Sequence, residues 1–198
     1  MCIRLAVLLV FGAALYGCAA MGVPITSDPA EKLGWARFLY EKQNRPLPAE
    51  RLILEARDIY QSKNDELGLA EAFRQYAFFL VSKTVEDWEP IYRRNGFLDQ
   101  SVIFDSRHER AIEYFEKAKV IYIKNADYGS LTNVDLVIGH VYLSKIGNEN
   151  RACRQYEQSL ADHKEFRKHN PNDKIVLPNG FNSYEEYIEA IKKGAKCV

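Results

Sequence analysis

Two segments of this chain can be laid over one another without a gap. They are "EARDIYQSKNDELGLAEAFRQYAFFLVSK" (55–83) and "KAKVIYIKNADYGSLTNVDLVIGHVYLSK" (117–145). At a fixed offset of 62 they share Ala56/Ala118, Ile59/Ile121, Tyr60/Tyr122, Asp65/Asp127, Leu69/Leu131, Ser82/Ser144 and Lys83/Lys145. Chance would give about one or two such identities over this length. A chain that repeats itself in this way has to build one unit more than once and stack the copies, because a single unit cannot bury its own apolar face. Apolar residues follow a 3–4 rhythm in Leu69, Phe73, Tyr76 and Leu80, and again in Ala111, Phe115, Ala118 and Tyr122. That is helical spacing, and no stretch alternates as a strand would. The fold class expected is all-α, each copy running helix, turn at Asp65 or Asp127, new helix.

Small residues recur where paired helices would touch. Ala49-Ile53-Ala56, Ala111-Phe115-Ala118 and Ala152-Tyr156-Ser159 have the same spacing. Alanine or serine lets two helix axes approach, and the larger residue between them fills the adjacent hole. First-helix counterparts are Leu33-Gly34, Tyr76-Ala77 with Leu80, and Ile138-Gly139 with Tyr142. Over about residues 30–170 this pattern resembles the tetratricopeptide-repeat family. The resemblance implies a TPR-like solenoid of helical hairpins in residues 29–198. Asn170-Pro171 would help stop the last repeat. Arg37 departs from the pattern, standing where an aromatic residue is usual.

Two segments lie outside the repeats. Residues 84–107, "TVEDWEPIYRRNGFLDQSVIFDSR", form an insertion in the second repeat and crowd together Trp88, Tyr92, Phe97 and Phe104. Either these aromatics pack against the stack or the segment is a lid or partner-binding element. The tail at about 182–194 reads as a capping helix, capped by Asn182 or Ser183. Tyr184, Tyr187, Ile188 and Ile191 would form its inner face, and Gly194 would end it.

The beginning of the chain carries a different signal. Arg4 precedes an apolar run from Leu5 to Tyr16, too short to cross a bilayer core comfortably, and residues 1–17 read as a secretion signal. Leu15-Tyr16-Gly17-Cys18 resembles the lipobox of bacterial lipoproteins, with Tyr16 larger than that slot usually holds. The resemblance implies acylation of Cys18, a signal peptide of 1–17 and a tether of 18–28. Several acyl chains together make such an anchor effectively permanent. Ala19 follows Cys18 where aspartate is associated with inner-membrane retention, so the implied location is the outer membrane, facing the periplasm. Asp28, Pro29 and Glu31 then form a box-like start to the first helix.

With Cys2 in the leader and Cys18 acylated, Cys153 and Cys197 remain. An oxidising compartment allows them one pairing, and the alternative is two separate thiols. The chain balances 27 basic against 27 acidic residues without a basic stripe, which argues against nucleic acid. His108, His140, His163 and His169 lack metal-ligand spacing, and HExxH, CxxC and GxSxG are absent. Asp65-Glu66 and Glu185-Glu186 point about 100° apart on a helix and read as helix-start or solvated charges. His108, near a helix start, reads as a surface residue. No cofactor, metal or catalytic group is expected.

In the family that the repeats resemble, first helices line a concave groove. Carried over, this face holds Arg74, Gln75, Phe78 and Ser82 in the second repeat and Asn133, Leu136, His140 and Leu143 in the third. The family's carboxylate clamp needs Asn where Phe78 and His140 stand, so no such clamp is expected. The peptide-binding groove assigned is Arg74, Gln75, Phe78, Asn133 and His140. The function implied is a non-catalytic, membrane-anchored adaptor or scaffold for another envelope protein or peptide segment. The alternatives are a cell-wall enzyme or small-ligand-binding protein, and a structural subunit of a secretion or pilus assembly.

Overall fold

The structure is a computed structural model that describes residues 22–23 and 25–197. The leader, Cys18 and part of the tether lie outside the described residues. Among the described residues there is no strand, and the chain is all-α. The longer helices are α1 (Pro29–Lys42), α2 (Pro46–Ser62), α3 (Glu66–Val81), α6 (Arg107–Lys124), α7 (Tyr128–Val141), α8 (Glu149–His169) and α9 (Tyr184–Gly194). Two short helices, α4 (Lys83–Asp87) and α5 (Glu89–Asn95), and a 3-10 turn (Phe104–Ser106) fill the segment between α3 and α6. No helix among the described residues is long and apolar enough to cross a membrane.

The repeated sequence builds a repeated turn. Asn64 and Ala126, equivalent at the offset of 62, both take left-handed backbone, at φ 53° and 51°. The next residue then folds back on the helix just ended. Asp65 N donates to Tyr60 O at 3.0 Å, and Asp127 N donates to Tyr122 O at 2.9 Å. Each aspartate also opens the following helix. The Asp65 carboxylate accepts from Gly68 N at 2.9 Å, and that of Asp127 accepts from Ser130 N at 3.0 Å. One of the donors orphaned at a helix start is thereby satisfied. Two of the seven shared identities, Tyr60/Tyr122 and Asp65/Asp127, belong to this turn. Asn44, at φ 51°, serves the turn between α1 and α2 in the same conformation.

The helices pack in succession: α1 on α2, α2 on α3, α3 on α6, α6 on α7, α7 on α8, and α9 on α8. All nine residues of the three small-residue triplets are at most 1% exposed. The first-helix positions divide. Ala77 is fully buried, and a Cβ added to Gly139 would lie 2.4 Å from the Tyr156 ring. Gly34 is exposed with nothing within 4 Å of such a Cβ, so it is not a contact glycine; Ala36 is the buried small residue of α1. The start of α1 also differs in detail from a capping box. Asp28 accepts from Ala30 N at 2.8 Å, but Glu31 accepts from the Thr26 hydroxyl, which itself accepts from Asp28 N.

The insertion is part of the core. Val85, Tyr92, Phe97, Val102 and Phe104 are buried with the helices around them, and Tyr92 stacks on Phe97 at 4.2 Å. Thr84 Oγ1 donates to Tyr40 O at 2.5 Å, and Leu98 N donates to Glu50 Oε1 at 2.8 Å. Its aromatics therefore pack against the stack. At the other end, Ser183 caps α9 by accepting from Glu186 N. Tyr184 and Ile188 are buried in a second, smaller core with Ala152 and Tyr156. Lys196, at φ 55°, takes the left-handed residue of the closing turn, and Gly194 does not. Cys153 on α8 and Cys197 after α9 stand at disulfide distance, with Cα atoms 5.5 Å apart.

Candidate interaction surface

The residues assigned to the groove fall into two groups. Arg74, on α3, sends Nε and Nη2 to the two carboxylate oxygens of Glu71, each at 2.8 Å. Its Nη1 reaches Asn133 Oδ1 on α7 at 3.4 Å. Glu71 and Asn133 are equivalent at the offset of 62, so one guanidinium bridges the same position in two successive copies. Glu71 also accepts from Gln75 Nε2 at 3.0 Å. The Arg74 guanidinium lies 5.6 Å over the Phe78 ring. Glu71, Arg74, Gln75, Phe78 and Asn133 thus form one connected set across α3 and α7.

His140 stands apart from that set and has its own partner. Its Nδ1 is hydrogen-bonded to the Tyr156 hydroxyl at 3.1 Å, and the rings meet edge to face at 5.4 Å. Phe78, its equivalent in the earlier copy, meets Phe115 edge to face at 5.2 Å. Phe115 and Tyr156 are the central residues of their triplets, so the ring contact repeats with the sequence. Burial holds the His140 imidazole below its ordinary pKa.

Gln75 is only 7% exposed and its Oε1 has no hydrogen-bond partner among the described residues. With Glu71, Gly34 and Arg37 it lines a depression of about 340 Å³ between α1 and α3. Glu71 is absent from the groove assigned by sequence, although its spacing of three and four from Arg74 and Gln75 was the signal that could have found it. His108 is half-buried with Nε2 unpartnered, contrary to the surface role expected of it. Asp65-Glu66 and Glu185-Glu186 open α3 and α9, in keeping with helix-start charges.

A second polar cluster, not singled out in the sequence, lies between α6, α7 and α8. Lys119 Nζ is 2.5 Å from Asp135 Oδ1, and Asp162 faces the same carboxyl. Among the described residues no three His, Cys, Asp or Glu side chains converge as a metal site. No protein-family model matches the chain, no curated protein is significantly similar to it, and no solved structure matches it.

Proposed function

We propose that this chain is a TPR-like helical-repeat adaptor, tethered through an acylated Cys18 to the outer membrane of a bacterial envelope and acting on another envelope protein or peptide segment in the periplasm. The Arg74 bridge between Glu71 and Asn133 carries the reading. It reaches from the first helix of one copy to the first helix of the next, so that both contribute side chains to one polar set. That set mixes a guanidinium, amides, a carboxylate and a half-exposed phenyl ring. Such a mixture suits an extended or helical peptide, which needs polar groups for orientation and an apolar patch for affinity. The repeated turn and the nine buried triplet residues support the solenoid reading of the helices.

The test compares proteins crosslinked in membranes to the wild-type chain and to Arg74→Glu/Phe78→Ala, with helix content checked by circular dichroism. A partner captured by the wild type and lost from the folded double variant supports the groove. Unchanged capture moves the contact elsewhere. Cys18→Ser tests the anchor. It should shift the protein from the membrane to the soluble fraction with loss of the lipid mass, and an unchanged mass would refute acylation.

A further inference from the structure

The first helix carries an aromatic pair outside its packed side. α1 packs on α2 and α3 and buries Leu33, Ala36, Leu39 and Tyr40. Trp35 and Phe38 are left 38% and 43% exposed, their rings edge to face at 5.8 Å. Lys42 stands one turn after Phe38 on the same face, is exposed, and forms no ion pair among the described residues. The approach to α1 brings a third apolar side chain to this edge. Ile25 is fully exposed and lines a recess with Lys32, which stands one turn before Trp35. Val23 is packed against the main core, and a Cβ built on Gly22 would lie 3.9 Å from Arg45 Nη1 at the turn between α1 and α2. Gly22 and Val23 therefore lie on the body of the molecule. The four peptide links between Gly22 and Cys18 span at most about 14 Å.

We propose that the face of Ile25, Trp35 and Phe38 docks on the surface of a phospholipid bilayer, with the aromatic rings at headgroup level and Lys42 on lipid phosphate. The inference rests on the acylation of Cys18, which puts a bilayer within about 14 Å of Gly22. Tryptophan favours the membrane interface, where its ring meets apolar chains and its N–H a polar partner. The Trp35 indole N–H donates no hydrogen bond among the described residues. Lysine beside such rings extends its ammonium into the headgroups, where anionic lipid attracts it. Three apolar side chains and one cation hold a bilayer weakly by themselves. The acyl anchor makes the same contact intramolecular, at an effective concentration set by a link of a few residues. A protein partner has no such link, so the bilayer is the occupant that the chain itself delivers to this face. Docking fixes the orientation of the helical stack on the membrane, where the anchor alone would let it swing.

The test uses the mature acylated chain, purified from membranes and placed in vesicles of phosphatidylethanolamine and phosphatidylglycerol. Trp35 and Trp88 are the two tryptophans, so Trp88→Phe leaves Trp35 as the reporter. Its emission should shift to the blue relative to the unacylated Cys18→Ser protein in buffer. Lipids brominated near the headgroup end of their chains should quench it about twofold or more. Phe38→Ser, on the exposed face, should cut that quenching about twofold, with the lipid mass and the circular dichroism unchanged. Absence of the lipid mass would remove the anchor and this inference with it. A chain that carries the lipid mass while Trp35 stays unquenched would overturn the docking alone, and so would quenching that Phe38→Ser leaves intact. A blue shift that brominated lipid does not quench and dilution abolishes would also overturn it, and would assign the face to a second copy of this chain.

Discussion

The Glu50 carboxylate accepts the backbone N–H of Leu98, 48 residues away, at 2.8 Å, and the same oxygen accepts the Tyr76 hydroxyl at 3.0 Å. One buried atom thus joins α2 and α3 to the insertion between α3 and α6. Glu50 is 1% exposed, and burial pushes its carboxyl up to about 7 against the pull of those hydrogen bonds. The folded chain therefore holds this proton more tightly than the unfolded chain, whose ordinary value is 4.5. The stabilising contribution is complete below about 4.5 and is lost as pH rises towards about 7, after which it stays lost. At ~1.4 kcal/mol per pH unit the loss is about 3 kcal/mol. Urea titrations of the wild type at pH 4.5 and pH 8 should show this fall.

Glu50→Gln separates the charge from the hydrogen bonds. Glutamine Oε1 can accept from Leu98 and Tyr76 as the carboxylate does, and its amide offers a donor to the Tyr92 hydroxyl, which has no partner among the described residues. Above pH 7 the variant should be more stable than wild type by about 1–3 kcal/mol, with the Glu50 contribution to the pH slope gone. Glu50→Ala should do the reverse, costing about 2–4 kcal/mol by leaving the buried Tyr76 hydroxyl and the part-buried Leu98 N–H without their acceptor. Amide exchange at Leu98 should then speed up ahead of that in α2. A Glu50→Gln protein less stable than wild type at pH 8 would refute the assignment of a charge penalty.

The repeated turn makes a prediction at its weaker copy. Asn64 tolerates left-handed backbone because its short polar side chain can hydrogen-bond locally, but Ala126, in the same conformation, has no such compensation. Ala126→Asn should raise stability by about 0.5–1 kcal/mol, and Ala126→Gly by less, since glycine gains entropy in the unfolded chain. Asn64→Ala should lower it by a similar amount. Thermal melts of the three variants check the order, and an Ala126→Asn protein less stable than wild type would remove the equivalence of the two turns.

Why these turns were legible in sequence, and other features were not, follows from what each residue needs. The turn requires an aspartate cap, so that identity persists at the offset of 62, whereas Tyr60 and Tyr122 give the turn only a backbone carbonyl. The triplets require small side chains at helical spacing, and all nine proved buried. Glycine is ambiguous by contrast. Gly34 and Gly139 look alike in a motif, yet one faces open space and the other lies under Tyr156. Glu50 and Asp135 gave no signal at all. A lone carboxylate on a helix is ordinarily a surface group, and only the fold brings Leu98 or Lys119 to it. Of the residues assigned to a groove, Arg74, Gln75, Phe78 and Asn133 stand in one connected set, and the carboxylate at its centre, Glu71, was not among them.

The two glycines can be told apart by one methyl group each. In Gly34→Ala the new methyl meets nothing within 4 Å, so only helix propensity changes, and stability should rise by about 0.5–1 kcal/mol. In Gly139→Ala the methyl would sit 2.4 Å from Tyr156, a fully buried ring hydrogen-bonded to His140. Either the ring or α7 has to shift, and overpacking of this kind costs typically ~1–3 kcal/mol. Chemical denaturation of both variants should give opposite signs. Matching signs would mean that the contact between α7 and α8 is looser than these distances allow.

Cys153 and Cys197 close a loop across 44 residues and hold α9 to α8. In the chain-entropy view such a link stabilises by about 4 kcal/mol through its effect on the unfolded chain. Its native-state effect is local, because the core that it borders is the small one of Ala152, Tyr156, Tyr184 and Ile188. Noncovalent ties cross the same junction. The Ser159 hydroxyl is hydrogen-bonded to Tyr184 Oη and to Thr132 O, each at 2.6 Å, and joins α7, α8 and α9. Reduction, or Cys197→Ser, should therefore loosen α9 first. Amide exchange in Tyr184–Gly194 should accelerate while that of α3 and α6 stays slow, and the melting transition should broaden or split. Adding Ser159→Ala should release α9 further, since it removes the hydroxyl that reaches both neighbours. Uniform acceleration across all helices would instead mean that the last helix is an integral part of one cooperative core, and that the link between the cysteines secures the whole stack.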